Sequence, residues 1–207
     1  MQGIGASQWH AHEMIYGYTM AVIAGFLLTA IRNWTGIPTL ARAPLAALVA
    51  CWAVARLALL AGTAFIALAA VADLLFAALL IVACAVPIVR ARQWRQMAVL
   101  SKLVLLGIGN ALFYAGVFGL LDDGVRWSLY GAFYVVIALI LTMGRRLIPL
   151  FTGNGVEPKV TLPNSLWLDM SSLVLLVVFW IAEVFLQRHG VAAAAGALLF
   201  AVNAVRL

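Results

Sequence analysis

Two histidines and a glutamate near the start of the chain, His10, His12 and Glu13, are the residues best suited to chemistry. Neutral imidazole ligates haem iron, copper and zinc alike. Side chains two residues apart in a helix differ by about 200° in direction, so these two histidines cannot hold one ion from a regular helix. Either the helix begins after His10, or the two imidazoles serve different sites. Glu13 shares a face with His10, and we expect it to accept a hydrogen bond from that ring and fix its tautomer.

The same tetrad has a plainer interpretation, because histidine, tryptophan and tyrosine are common where a helix leaves the membrane. On these residues alone, ligation and an interfacial position both stay open. The third histidine, His189, follows Arg188 at a predicted helix end. A cofactor ligand and a solvated or capping histidine are the two interpretations of that position.

Three further ionisable residues, Arg56, Asp73 and Glu183, fall inside predicted apolar spans, where a charge is costly and usually has a role. Arg56 and Asp73 face each other across a predicted turn, and we expect an ion pair that stabilises the bundle. A proton relay or a substrate path is the alternative. Glu183 has no obvious partner and is expected to be protonated, to pair with Arg56 or to join the histidines.

The elements that must position these residues are apolar helices in a lipid bilayer. Hydrophobic residues make up 66% of the 207 residues and charged residues 10%, against roughly 25% charge in soluble domains. So few charges cannot cover the surface of a soluble fold of this length. The composition therefore predicts an all-α polytopic transmembrane bundle, and the bilayer itself as the main partner.

A span needs about twenty mostly apolar residues, and the uncharged runs give six to seven candidates in one transmembrane domain, 1–207. Stops between the runs are provided by Gly36 and Pro38, by Asp122 and Asp123, and by Pro149. The predicted spans are about 9–31, 44–60, 65–89, 102–121, 127–147 and 166–186, with a last apolar run from residue 190 to the C-terminus.

Lysine and arginine are concentrated in every second connection, and such connections usually lie in the cytoplasm. Their basic residues are Arg32 and Arg42 in the first, Arg90, Arg92, Arg95 and Lys102 in the third, and Arg145, Arg146 and Lys159 in the fifth. This distribution predicts that the N-terminus of the chain lies outside the cytoplasm. Anionic lipids of the inner leaflet are then the expected partners of the basic connections.

Several classes of protein are excluded. The net charge of +6 arises from short loop clusters, not from a basic surface interleaved with aromatic residues, so nucleic acid is not an expected partner. The sequence has no Gly-rich phosphate loop, HExxH, CxxC or plausible Ser-His-Asp triad, which argues against hydrolase or NTPase chemistry.

Cys51 and Cys84 lie in apolar runs and predict free thiols. Whether the protein is an enzyme, and its oligomeric state, are open at this point.

Two stretches resemble the signatures of a known family, the NnrS family. WHAHEMIYGYTMAVIAGFLLTAIRNWTG, Trp9 to Gly36, is closely similar to the first signature, and GRRLIPLFTGNG, Gly144 to Gly155, is similar to the second. Members of this family are bacterial inner-membrane proteins of about twelve spans, associated with haem and copper and with denitrification and nitric oxide resistance. The resemblance also predicts that this chain is a fragment, because family members have a helix before the histidine motif and further spans after the last one here.

The resemblance implies that His10 and His12 are ligands of haem or a metal, with Glu13 supporting them. Arg146, Pro149 and Asn154 match the second signature, without an implied role. The expected function is haem and copper binding in the nitric oxide response, with nitric oxide as a possible ligand and a periplasmic N-terminus. The alternatives are a secondary transporter, with Arg56, Asp73 and Glu183 in its pathway, and a non-functional remnant.

Overall fold

The computed structural model describes residues 4–155 and 165–206, and within these ranges the chain forms seven helices and no strands. The helices are α1, Ala6–Thr35; α2, Arg42–Leu60; α3, Ile66–Arg90; α4, Met97–Val117; α5, Gly124–Gly155; α6, made of Leu166–Trp180 and Ile181–Phe185; and α7, His189–Arg206. The first six are long and apolar enough to cross a membrane, whereas the apolar part of α7, His189–Val205, is shorter. The all-α transmembrane prediction is confirmed.

Glycines with positive φ lie in two of the connections between helices, where the predicted spans are interrupted. Gly36 has φ of +70° and donates its N–H to the Arg32 carbonyl, which ends α1. Gly62 has φ of +104° between α2 and the short turn Thr63–Phe65 that precedes α3. Only glycine adopts these angles at little cost, so the two breaks are encoded locally.

Two predicted boundaries were wrong. The fourth span begins at Met97 rather than near Lys102, because the ammonium group of Lys102 donates to the Ala98 carbonyl of its own helix and does not interrupt it. The fifth continues past Pro149 to Gly155, so the stretch that was expected to lie beyond the end of this helix is helical. Proline removes one backbone hydrogen bond, a loss that helices in membranes tolerate.

The chain divides into two compact units, Met1–Ala132 and Phe133–Leu207. In the first unit, α3 packs against α1, α2 and α4. Its buried cluster contains small side chains at Ala58, Ala69 and Ala70, closed by the rings of Phe113 and Tyr114. In the second unit, α6 packs against α7, and the Tyr134 ring contacts Phe179. Large apolar side chains such as Leu57 and Val71 are exposed in both units, as a lipid-facing surface requires.

Candidate functional site

The histidine motif lies at a change in the geometry of α1. Residues Ala6–His12 are α-helical, Glu13–Thr19 form a π-helical segment, and Met20 resumes the α-helix. A π-helix bonds each N–H to the fifth preceding carbonyl, and such segments are frequent at functional sites. The wider turns let backbone carbonyls accept hydrogen bonds from side chains of other helices. The indole Nε1 of Trp52, on α2, accordingly donates to the Gly17 carbonyl at 2.9 Å.

The two histidines of the motif have different environments. His10 is exposed, whereas the His12 side chain is 1% exposed and its ring centroid lies 4.2 Å from that of Phe113. Nδ1 of His12 lies 3.2 Å from Oε1 of Glu13, and Nε2 lies 3.1 Å from Oδ1 of Asn110. The motif therefore presents one accessible imidazole and one whose two nitrogens are already engaged by neighbours.

Glu13 contacts His12 rather than His10, so the expected pairing with His10 was wrong. The physical reason is Arg56, whose Nη1 donates to Glu13 Oε1 at 2.6 Å and holds the carboxylate on the buried side of α1. Nδ1 of His12 is thus bridged through Glu13 to a cation on another helix.

The predicted pair between Arg56 and Asp73 is confirmed. Nη2 of Arg56 lies 2.5 Å from Oδ2 of Asp73, and the Tyr114 hydroxyl donates to the same oxygen at 2.8 Å. Oδ2 also lies 3.6 Å from Nε2 of His12. We call the connected side chains of His12, Glu13, Arg56, Asp73, Asn110 and Tyr114 the Arg56 network. It joins four helices, α1 to α4, through charged and polar contacts in a bundle that is otherwise apolar.

Two glycines make room for this packing. A Cβ atom added to Gly17 would lie 2.6 Å from Nη1 of Arg56, so only glycine lets the guanidinium lie against α1. A Cβ atom on Gly109 would lie 2.6 Å from the Tyr16 hydroxyl, which hydrogen-bonds to Ser128 Oγ at 2.8 Å. Gly17 on α1 therefore permits the close approach of a charged side chain rather than of another helix backbone.

Sequence reasoning missed several of these residues. Asn110 and Tyr114 gave a weak signal, as isolated polar groups in an uncharged run of the fourth span. The second unit contains a further buried ion pair that was not predicted, in which Arg145 Nη1 donates to Asp169 Oδ2 at 3.0 Å. Asp169 is buried only three residues into α6, where its charge was overlooked near the span boundary. Arg145 is thus held by a carboxylate through one of its nitrogens, and its expected contact with lipid phosphates stays a prediction.

Other predicted site residues lie in the second unit. His189 is 83% exposed at the first position of α7, and its Nδ1 lies 3.9 Å from Oε2 of Glu183, a contact between two largely solvated groups. Arg146 is half-buried on α5, and Pro149 is inside the same helix. The side chain of Asn154 lies outside the described part of the structure.

Comparison with known proteins decides the family. The sequence model described as NnrS protein matches residues 1–207, the whole chain. The chain belongs to the NnrS family. No curated protein and no solved structure matches it. Family membership therefore rests on the sequence model.

A metal centre built from this NnrS chain alone has little support in the geometry. Within residues 4–155 and 165–206, no group of three or more His, Cys, Asp or Glu side chains converges on one point. Cys51 and Cys84 are free thiols, as predicted. Haem iron differs from copper or zinc in needing only one or two protein ligands, because the porphyrin supplies four. Of the groups described, the exposed imidazoles of His10 and His189 fit that smaller requirement.

Proposed function

We propose that this chain is a haem-binding membrane protein of the nitric oxide response, and that His10, rather than His12, is the ligand it offers. The single observation that carries the assignment is the difference between the two imidazoles. His10 is exposed, while both ring nitrogens of His12 contact oxygen atoms of Glu13 and Asn110. Ligation by His12 would require breaking one of those contacts inside the bundle, which would leave a buried polar group unpaired.

The donor set favours haem over copper at this position. A copper site takes several nitrogen, sulfur or oxygen ligands from the protein, and the described residues offer no such group. When bound, haem iron supplies an open or exchangeable position for a small ligand such as nitric oxide. A second protein ligand to the haem would come from residues outside the described ranges or from a second copy of the chain.

In this proposal the side chains of the Arg56 network orient His10. The Arg56 network fixes the turn that begins at Glu13, because Arg56 contacts Glu13 on α1 and Asp73 on α3. His12 adds a contact to Asn110 on α4. These contacts set the rotation of α1 about its axis, which keeps His12 towards the bundle and His10 away from it. His12 and Glu13 are therefore positioning residues, two and three positions from the proposed ligand.

We place the protein in a bacterial inner membrane, with His10 at the periplasmic face. Support comes from family membership and from the concentration of lysine and arginine in the first, third and fifth connections. For the same reason we propose that these connections lie against anionic lipids of the inner leaflet.

The haem proposal is tested by purifying the chain in mild detergent, adding haem, and recording the optical spectrum of the wild type, His10→Ala, His12→Ala and His189→Ala. His10→Ala is expected to weaken haem binding at least tenfold while the protein unfolds at the wild-type temperature. His12→Ala is expected to lower the unfolding temperature yet keep the spectrum in the folded fraction, and His189→Ala is the matched control with an exposed imidazole. An unchanged haem spectrum in His10→Ala rejects the assignment.

A transporter is the second candidate, and it is favoured by the four ionisable side chains that meet inside one helical bundle. Buried ionisable groups of this kind often line ion or proton paths. Uptake assays in vesicles with Arg56→Met distinguish the two functions. Loss of transport with intact haem binding favours a transporter, and loss of nitric oxide resistance in His10→Ala cells favours the haem protein.

A further inference from the structure

The Arg56 network contains buried charged atoms that the protein does not satisfy. Asp73 is 0% exposed, and its Oδ1 has no hydrogen-bond partner among the described residues. The Arg56 side chain is 10% exposed, and its Nε has no partner within the same part of the chain. Nη2 lies 2.5 Å from Asp73 Oδ2 but makes no directed hydrogen bond there. One acceptor and two donors on facing helices are therefore available to a ligand.

The two kinds of unpaired atom select the kind of ligand. A bare cation cannot accept a hydrogen bond from Arg56 Nε, and an anion without a proton cannot donate to Asp73 Oδ1. A neutral molecule that both donates and accepts hydrogen bonds meets neither obstacle. The rings of Tyr114 and Phe113 are fully buried on this side of the bundle, so the molecule must be small.

We propose that the Arg56 network binds water within the membrane, accepting from Arg56 Nε and donating to Asp73 Oδ1. Buried water normally makes about three hydrogen bonds to polar groups that would otherwise be unsatisfied, which the three available atoms provide. Lipid tails cannot replace it, because they offer no hydrogen bonds. This inference goes beyond the proposed haem function and is independent of it.

The proposal is tested by hydroxyl-radical footprinting of the haem-free protein in lipid nanodiscs, in which X-rays generate radicals from bound water and mass spectrometry locates the modified side chains. Tyr114, which contacts Asp73, is the reporter. Tyr16 is the reference, because it is equally buried and its hydroxyl is bonded to Ser128. Tyr114 is expected to be modified at least fivefold faster than Tyr16. Equal rates for the two tyrosines overturn the proposal.

The matched variant is Arg56→Met combined with Asp73→Leu, which replaces both charges with apolar groups of similar size. It is expected to slow Tyr114 modification to the rate of Tyr16, and an unchanged rate overturns the proposal. If this variant does not fold, water-edited solid-state NMR of the wild type provides the test. Rapid transfer of water magnetisation to the Asp73 carboxyl supports bound water, and transfer no faster than to Leu80 contradicts it. Footprinting of His10→Ala under the same conditions keeps this result separate from haem binding.

Discussion

Nη1 of Arg56 lies 2.6 Å from Oε1 of Glu13, which ties the second helix to the first residue of the π-helical segment in α1. Glu13 directly follows His12 and lies three positions after His10. Through this contact, the orientation of the histidine motif depends on a charge that is 43 residues away. The stability of that arrangement can be tested directly.

The first prediction concerns Gly17. In Gly17→Ala, the new methyl group would lie 2.6 Å from Arg56 Nη1 and would displace the guanidinium from Glu13 and Asp73. We expect a destabilisation of about 1–3 kcal/mol, seen as a lower unfolding temperature in detergent. Gly25→Ala is the control, because a Cβ atom there has no neighbour within 4 Å. Equal unfolding temperatures for the two variants would show that Arg56 moves aside freely.

Removing the Arg56 guanidinium should lower the free energy of unfolding more than Gly17→Ala does. Arg56→Met leaves the Glu13 and Asp73 carboxylates buried without their partner, and breaking a buried pair in this way costs about 3–5 kcal/mol. Adding Asp73→Asn to this variant should restore part of the stability, since one of the two orphaned charges disappears. Thermal unfolding of both single variants and the double variant measures the coupling. Strict additivity would mean that the 2.5 Å contact contributes nothing.

The hydroxyl of Tyr114 provides a milder test. Tyr114→Phe keeps the ring in the core but removes the donor to Asp73 Oδ2, with an expected cost of about 1–3 kcal/mol for a buried bond to a charged group. Tyr18→Phe, on the exposed face of α1, should leave stability unchanged. A Tyr114→Phe protein as stable as wild type would indicate that Asp73 is fully satisfied by other groups.

Membrane orientation is checked with single cysteines in a Cys51→Ala, Cys84→Ala background. Ser7 is exposed in the first turn of α1, and Ala41 is exposed in the connection that follows α1. An impermeant maleimide should label Ser7→Cys in intact cells and Ala41→Cys only after the membrane is opened. The reverse pattern would place His10 at the cytoplasmic face and reject the proposed location.

The helices were predictable because lipid imposes a length and a composition on every span. Both properties can be read from the sequence. The partners of Glu13 and Asn110 were not, since a pairing between helices depends on how each is rotated about its axis. In α1 the π-helical segment changes that rotation within the motif, and hydropathy carries no trace of it. The pair between Arg56 and Asp73 could be predicted because a short turn fixes how α2 and α3 meet. Asp169 was missed because its position close to a span boundary suggested a solvated group.

The widened turns at Glu13–Thr19 hold the histidine motif in its orientation. If the same residues formed a regular α-helix instead, everything before them would swing by about 100° around the axis. His12 would leave the ring of Phe113 and turn towards the acyl chains, and His10 would change its surroundings as well. Natural variation in this stretch is therefore expected to consist of exchanges between side chains or loss of the one extra residue, and not of insertions.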